Sequence, residues 1–283
     1  MRILLTGRNG QVGWELERIL PRLGELIATD RATVDLADAQ AIRRVVREAR
    51  PDVIVNAAAY TSVDQAESEP EAAMQINALA PGMLAHEARR VGARLVHYST
   101  DYVFDGEKTA PYVETDPPHP LNVYGRSKLE GEGRVAAAGC RYVIFRTSWV
   151  YAPRGRNFLL TVLRTGCEQP QLRVVDDQVG APTSSAAIAQ ATAGALQAPD
   201  AEGIYHLSAA GKTTWCGFAR AILASAGLHT PVIPIRSDEY PAKARRPRNS
   251  LLDNTRLNVE LGITLASWQT QLEVVMAQVR GIS

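Results

Sequence analysis

Only three cysteines occur in 283 residues, and Cys140, Cys167 and Cys216 stand far apart with no Cys-x-x-Cys pair among them. That excludes a disulfide framework and a thiolate zinc site, and it fits a reducing compartment, the cytoplasm. No apolar run approaches the roughly 18 residues that a membrane helix needs, and the run in MRILLTG is too short for a signal peptide. The five histidines show no HExxH spacing, since HEARR at His86 lacks the second histidine. No metal centre is expected. Neither sign of charge dominates: the net charge is +1, so no global field gathers nucleic acid or a membrane surface. Internal repeats and low-complexity tracts are also missing. What remains is a soluble composition, 46% apolar, in a chain long enough for one large domain or two modest ones.

The apolar segments alternate in type. RILLTG, ELIATD, DVIVNAAA, ARLVHYST and RYVIFRTSWVY read as strands, and QVGWELERIL, AQAIRRVVREAR and the stretch from Pro70 to Gly92 read as helices, the last tolerating or kinking at Pro81. Strands that are continuously apolar and separated by helices predict a parallel sheet covered on both faces, a doubly wound α/β fold of Rossmann type. From about Arg154 the pattern loosens into turn clusters such as DDQVGAPTSS. A dinucleotide-binding domain over 1–153 and a smaller, mainly substrate-binding lobe over 154–283, interleaved with late elements of the sheet, are expected.

TGRNGQVG places Gly7, Gly10 and Gly13 between the first strand and the first helix. Glycines there permit a tight turn and let a pyrophosphate approach the helix N-terminus. The spacing is GxxGxxG, which alone is weak and also suits an ordinary strand-to-helix turn. Asp30, at the end of the second strand, adds an acid where the adenine ribose hydroxyls would lie. A carboxylate there favours NADH, whereas Arg8 and Arg31 in the same region could grip the 2′-phosphate of NADPH. Either cofactor remains open.

Tyr124 and Lys128, in NVYGRSKLEGE, lie one helical turn apart on one face. An ammonium near a phenol favours its ionisation and suits the tyrosine to proton transfer. With 9 tyrosines and 4 lysines in the chain, chance supplies this spacing about once in eight such sequences. The deciding segment is VHYSTDYVFDG, whose Ser99, Thr100 and Asp101 fall at the carboxyl edge of a predicted strand, where open α/β sheets bind ligands. A Thr100 hydroxyl beside that of Tyr124 can hold a substrate carbonyl oxygen. Taken alone, Ser-Thr-Asp is equally suited to a turn or a cap.

These motifs in series, with RTSWVYA, DDQVGAPT, YHLSAAGKTTW and RPRNS further on, resemble the nucleotide-sugar reductases of the extended short-chain dehydrogenase/reductase family along nearly the whole chain. The resemblance implies hydride delivery from NADPH or NADH to C4 of a 4-keto sugar nucleotide, with Tyr124 as proton donor. Lys128 would also bind the nicotinamide ribose, and Thr100 would orient the ketone. It further implies that Gly10, Gln11 and Val12 touch the cofactor phosphates, that Asp35 and Leu36 lie against the adenine, and that Ala59, Tyr60 and Thr61, with Tyr98 nearby, line the nicotinamide side. Asp101 and Trp149 would meet the sugar. Read from its own residues, the basic run KARRPRN offers Arg246 or Arg248 as a clamp for the diphosphate, although such a run equally suits plain surface. AAGKTT lacks the first glycine of a phosphate-binding P-loop, where His206 stands instead. Some family members dimerise through Mg²⁺ held by interface glutamates; TSSAAIAQATAGAL carries no acid, which argues against that metal-mediated dimer and leaves a monomer or a homodimer as the expectation. The resemblance extends to epimerases and dehydratases, and to the non-catalytic regulatory subunit of methionine adenosyltransferases. Asp101-Tyr102 lacks the Asp-Glu pair of the dehydratases, and intact Thr100, Tyr124, Lys128 and Trp149 favour a reductase over the regulatory subunit.

Overall fold

Alternate residues of the central strands are buried on opposite faces. Ile3, Leu5, Val53, Val55, Val143 and Phe145 point into one core, and Leu4, Ile54, Leu95 and Ile144 into another. In the computed structural model, which describes residues 1–282, these residues form β1 (Arg2–Thr6), β2 (Glu25–Thr29), β3 (Val53–Asn56), β4 (Arg94–Thr100) and β5 (Tyr142–Thr147), joined by β6 (Gly203–His206). The six are paired in the order β6-β5-β4-β3-β1-β2, every pair parallel. The chain leaves β1 towards β2 on one side and returns to β3 on the other, so the switch point lies between β1 and β3, at the carboxyl edge where such sheets bind ligands. The fold is the doubly wound parallel sheet that the pattern predicts.

Helix α1 (Gln11–Ile19) covers one face with Leu16, and α2 (Ala39–Ala49) covers the other with Ile42 and Val46. Each such side chain, once buried, stabilises the fold by about 1.5–3 kcal/mol. Asp38 caps α2 by accepting from Gln40 N at 2.8 Å, and Pro51 follows its last turn. The long segment read as one helix through Pro81 is three: α3 (Pro70–Met74), a π-helical turn (Gln75–Leu79) and α4 (Ala80–Val91). Pro81 has no N–H to offer the carbonyl of Asn77, and the widened turn absorbs that loss. RYVIFRTSWVY is likewise broken. The strand stops at Thr147, Trp149 takes a left-handed φ of 49°, and Val150–Tyr151 resumes as a short strand paired with Thr183–Ser184.

Beyond these lie α5 (Val123–Ala137), which carries Tyr124 and Lys128, then α6 (Phe158–Glu168), α7 (Ser185–Gln197), α8 (Trp215–Ala226) and α9 (Trp268–Ile282). Ile188 and Ala189 of α7 pack into the first core beside α1, and β6 extends the main sheet. By contrast Leu159 of α6, Phe218 and Ile222 of α8, and Leu272 and Val275 of α9 form a third core of their own. Among the described residues no helix is long and apolar enough to cross a membrane.

Candidate active site

The glycine turn closes directly onto β3. A Cβ on Gly13 would stand 2.0 Å from the Gly7 carbonyl oxygen, so α1 can start this close to β1 only with glycine there. Gly10 is the N-cap of α1, with no side-chain cap and no acid in the first turn. The first N–H groups of α1, those of Gln11 and Val12 among them, therefore present a dipole positive end without a carboxylate of their own. This geometry fits a dinucleotide pyrophosphate.

Asp30 lies at the end of β2, as expected, but its carboxylate is already engaged. It accepts from Ala32 N at 3.0 Å, Thr33 N at 3.0 Å and Asn9 Nδ2 at 3.1 Å, and the Thr33 bonds hold its pKa below the ordinary carboxylate value. Asp35 caps Ala37 N at 2.9 Å, while Leu36 is buried in the second core. Gln11 Oε1 accepts from Asn157 Nδ2 at 3.1 Å, tying the turn to the start of α6.

Beyond β3, Ala59 and Thr61 are exposed and Tyr60 is partly so. The loop is held by Asn77 in the π-helical turn: Tyr60 N donates to Asn77 Oδ1 at 2.8 Å, and Asn77 Nδ2 donates to Tyr60 O at 2.9 Å and Ser127 Oγ at 3.0 Å. Tyr60 sends its own hydroxyl to Glu69 at 2.8 Å. Tyr98 turns into the sheet core, its ring against Phe145 and its hydroxyl 2.7 Å from Thr192. What it offers the site is its carbonyl, not its side chain.

Thr100 ends β4, and its hydroxyl donates to Asp101 Oδ1 at 3.0 Å and accepts from Tyr102 N at 3.1 Å. Helix α5 is pressed down beside it. Its N-cap Asn122 accepts from Gly125 N at 2.7 Å, and a Cβ on Gly125 would stand 2.2 Å from the Tyr102 carbonyl oxygen. Glycine at that position brings Tyr124 over the strand end, with Tyr102 edge-on to its ring at 5.9 Å. Burial pushes the Tyr124 phenol up to about 12; the Thr100 hydroxyl beside it pulls the other way, and the Asp101 charge adds to the rise. The hydroxyl is therefore held protonated, ready to donate. Asp101 is buried, which raises its carboxyl to about 7 against the pull of the Ser250 and Thr100 hydroxyls.

Lys128 is 2% exposed. Its ammonium is directed not at Tyr124 but at the carbonyl of Tyr98, 2.5 Å away, with His97 Nε2 at 3.4 Å. Burial lowers it to about 8, partly opposed by Glu132 one turn further along. Glu132 is itself clasped by Arg146 of β5 through bonds of 3.0 and 2.6 Å.

On the lobe side, Trp149 stacks on Trp215 with ring centroids 3.6 Å apart and planes 8° from parallel, leaving it 9% exposed. Phe158 leans on Trp215 at 4.6 Å, and Trp215 Nε1 donates to Gln178 Oε1 at 3.2 Å. Arg246 donates to Asp64 Oδ2 at 2.7 Å and to the Ala244 carbonyl at 3.2 Å, pinning the basic run to the short helix Val63–Ala66 that follows β3. The structure thus brings together Thr100, Asp101, Tyr124 and Lys128. The supports that sequence reasoning missed are Asn56, Asn77, His97, Glu132 with Arg146, and Trp215. Of these His97, Glu132, Arg146 and Trp215 stood inside motifs already singled out, and Asn56 and Asn77 did not stand out from the strand and helix that carry them.

A glycine turn open at a helix N-terminus, set along one sheet edge with a Thr–Tyr–Lys cluster, defines a nicotinamide-dependent reductase of the short-chain type. A family model described as RmlD substrate binding domain matches residues 1–280, and the chain belongs to that family. It is 49% identical to a dTDP-4-dehydrorhamnose reductase of Burkholderia thailandensis, over 95% of this chain and 96% of that one. Among solved structures it is similar to a dTDP-4-dehydrorhamnose reductase of Clostridium acetobutylicum, at 37% identity and a TM-score of 0.96, covering 99% of this chain and 100% of that one. A further likeness is to the Bacillus anthracis dTDP-4-dehydrorhamnose reductase in complex with NADP, at 38% identity and a TM-score of 0.93, covering 98% and 99%.

Proposed function

We propose that this chain reduces the C4 ketone of dTDP-4-dehydro-L-rhamnose to give dTDP-L-rhamnose, using NADPH or NADH, in the supply of activated sugar for cell-surface polysaccharide. It would act in the cytoplasm as a monomer or homodimer. The observation that carries the reading is the meeting of Thr100, Tyr124 and Lys128 at one strand end, in a chain 49% identical to a dTDP-4-dehydrorhamnose reductase. The bound nicotinamide cofactor supplies the hydride.

The chain's own residues do the rest. Gly7, Gly10 and Gly13, with the N–H groups of Gln11 and Val12, would hold the pyrophosphate, and Asp30, already accepting from Asn9, Ala32 and Thr33, would lie on the adenine ribose side. Thr100 and Tyr124 hold the ketone oxygen between two hydroxyls. As negative charge develops on that oxygen, Tyr124 passes it the phenolic proton, leaving a phenolate that the Lys128 ammonium stabilises. Asp101 and the Trp149–Trp215 pair address the sugar. Arg246 offers the diphosphate a guanidinium that Asp64 holds in place. Residues 154–283 serve mainly to bind substrate.

The test is nicotinamide absorbance followed in time with dTDP-4-dehydro-L-rhamnose, with NADPH and NADH in turn. Steady oxidation that depends on the sugar nucleotide supports the assignment. Tight cofactor binding with no turnover would sink it and favour a regulatory subunit, while interconversion without net oxidation would favour an epimerase.

A further inference from the structure

Beneath the catalytic cluster runs a line of buried polar side chains that the reaction as proposed does not use. Thr6 of β1, Asn56 of β3 and His97 of β4 are opposite one another in the parallel register. All three are at most 1% exposed. Thr6 Oγ1 donates to Asn56 Oδ1 at 2.7 Å, Asn56 Nδ2 lies 3.1 Å from His97 Nδ1, and His97 Nε2 lies 3.4 Å from Lys128 Nζ. The line therefore starts one residue before the glycine turn and ends on the lysine of the Tyr-x-x-x-Lys motif.

Its chemistry has one fixed point. The backbone N–H of Ala58 also faces Asn56 Oδ1, at 3.3 Å. A backbone N–H can only donate, so it sets the orientation of the amide: the oxygen of Asn56 faces Ala58 and Thr6, and its NH₂ faces the histidine. His97 Nδ1 must then accept. A neutral imidazole that accepts at one nitrogen donates from the other, so the proton sits on Nε2 and points at Lys128. Full burial, and after it the neighbouring ammonium, hold His97 neutral, well below its ordinary range, against a contact with the Asn56 backbone that favours the charged form. An N–H aimed at an ammonium meets no lone pair, but aimed at an amine it does.

We infer that His97, fixed in its Nε2–H form by Asn56, is a positioning residue that steers the nitrogen of Lys128 onto the Tyr98 carbonyl and favours the neutral amine. Lys128 then has two suitable partners in its neutral form: it donates to Tyr98 O and accepts from His97. The other groups facing it are Tyr124 and Glu132, one turn to either side on α5, with Glu132 held by Arg146 from β5. Glu132 favours the charged form, so His97 and burial oppose it. The balance leaves Lys128 mostly charged at neutral pH and within reach of losing its proton in mildly alkaline solution. This inference rests on the reductase reading for its catalytic meaning, but not for its test.

Nitrogen NMR of protein labelled in its histidines reads the form of His97 directly, without turnover. A bare Nδ1 and a protonated Nε2 are expected; a proton on Nδ1, or an imidazolium, overturns the inference. The second arm is the alkaline limb of the pH–rate profile, where activity falls as the Lys128 ammonium is lost. In His97→Leu the limb should move up by about one pH unit, because the N–H that favours the amine is gone. In His97→Gln, whose amide can still donate to Lys128, it should stay near the wild-type position. Asn56→Asp, which accepts from both Thr6 and Ala58 but can only accept from His97, forces the proton to Nδ1 and should also move the limb up. A limb that stays put or moves down in folded His97→Leu overturns the inference. Failure of that variant to fold leaves the NMR result to decide. Failure of the wild type to turn over defeats the reductase reading alone.

Discussion

Around Lys128, side chains from four elements meet with little access to solvent and are joined by directional hydrogen bonds, whereas around Trp149 the contacts are rings on rings. Thr6, Asn56, His97 and Lys128 fix one another through N–H and O–H groups whose partners are specified one by one. Trp149, Trp215, Phe158 and Phe218 fix one another through area and stacking. Buried polar bonds tolerate little displacement, because a lost partner costs about 1–3 kcal/mol. Stacked rings slide and re-pack at a smaller penalty, about 0.5–1.5 kcal/mol per pair beyond the area buried. The difference matches the division of labour proposed for the two halves: proton and hydride transfer need reacting atoms held to a fraction of an ångström, while a sugar nucleotide must enter and leave.

The comparison breaks most sharply at Tyr124. In Tyr124→Phe the ring and its edge contact with Tyr102 remain, and only the acid is removed. The kcat for ketone reduction should fall at least ~100-fold, with cofactor affinity and melting temperature little changed. Stopped-flow absorbance with a melting curve checks this. A loss smaller than tenfold would make another group the proton donor, and Asp101 is the one whose carboxyl stands at about 7.

Asp101 itself tests whether the polar region sacrifices stability for function. Its folded carboxyl is raised from 3.8 to about 7 by burial, so the folded state holds this proton more tightly than the unfolded chain. The stability it contributes is fully present below about pH 4 and is lost as pH rises through about 7. Asp101→Asn removes that loss. At pH 8 the variant should be more stable by on the order of 2–4 kcal/mol, and at pH 4 the advantage should nearly vanish. Denaturant melts at the two pH values decide it; a gain that is the same at both would mean that the carboxyl ionises normally.

The sheet was legible because its evidence is repetitive: Leu4 and Ile54 fill one core while Ile3, Leu5, Val53 and Val55 fill the other, and each adds to the same period. The glycine turn and the Tyr124–Lys128 spacing were legible because local geometry demands those residue types at those intervals. Their supports were not. Thr6, Asn56 and His97 are about 40 to 50 residues apart in sequence and become neighbours only through strand register, which no local pattern announces. Trp149 was read as a sugar contact from the family resemblance, but its left-handed backbone and its stack on Trp215 depend on a helix that begins 66 residues later. A disturbance from Pro81 was foreseeable from proline chemistry, yet the widened turn one step before it, and the use of Asn77 there to hold Tyr60, were not.

Trp215 tests the other half of the comparison. In Trp215→Ala the stack on Trp149 is lost and the lobe side of the site loosens, while the hydrogen bonds at Lys128 are untouched. The KM for the sugar nucleotide should rise about tenfold, with kcat within about threefold of wild type, as for a contact made equally in the ground and transition states. NADPH affinity, measured by fluorescence titration, should not change. A collapse of kcat at constant KM would mean that the stacked pair positions the reacting carbon, and the contrast between fixed and adaptable halves would fail.

The smallest effect is expected where the two halves touch. Arg246 gives N–H donors to Asp64, the Ala244 carbonyl and the Tyr102 hydroxyl, and the rest of its five are left for a diphosphate oxygen. Arg246→Ala should raise the KM for the sugar nucleotide about three- to fivefold, less than the loss of Trp215, because a partly exposed ion contact is weakened by solvent and salt. Salt separates a clamp from a strut. If the guanidinium meets the diphosphate, wild-type KM climbs between low and high ionic strength and the variant's KM stays nearly flat. If Arg246 only ties its loop to Asp64, Arg246→Ala and Asp64→Ala lower the melting temperature equally, the double variant adds nothing, and the two salt curves run parallel. The expected result is the flattened curve, since a loop tied only for its own sake has no need of a side chain with donors to spare.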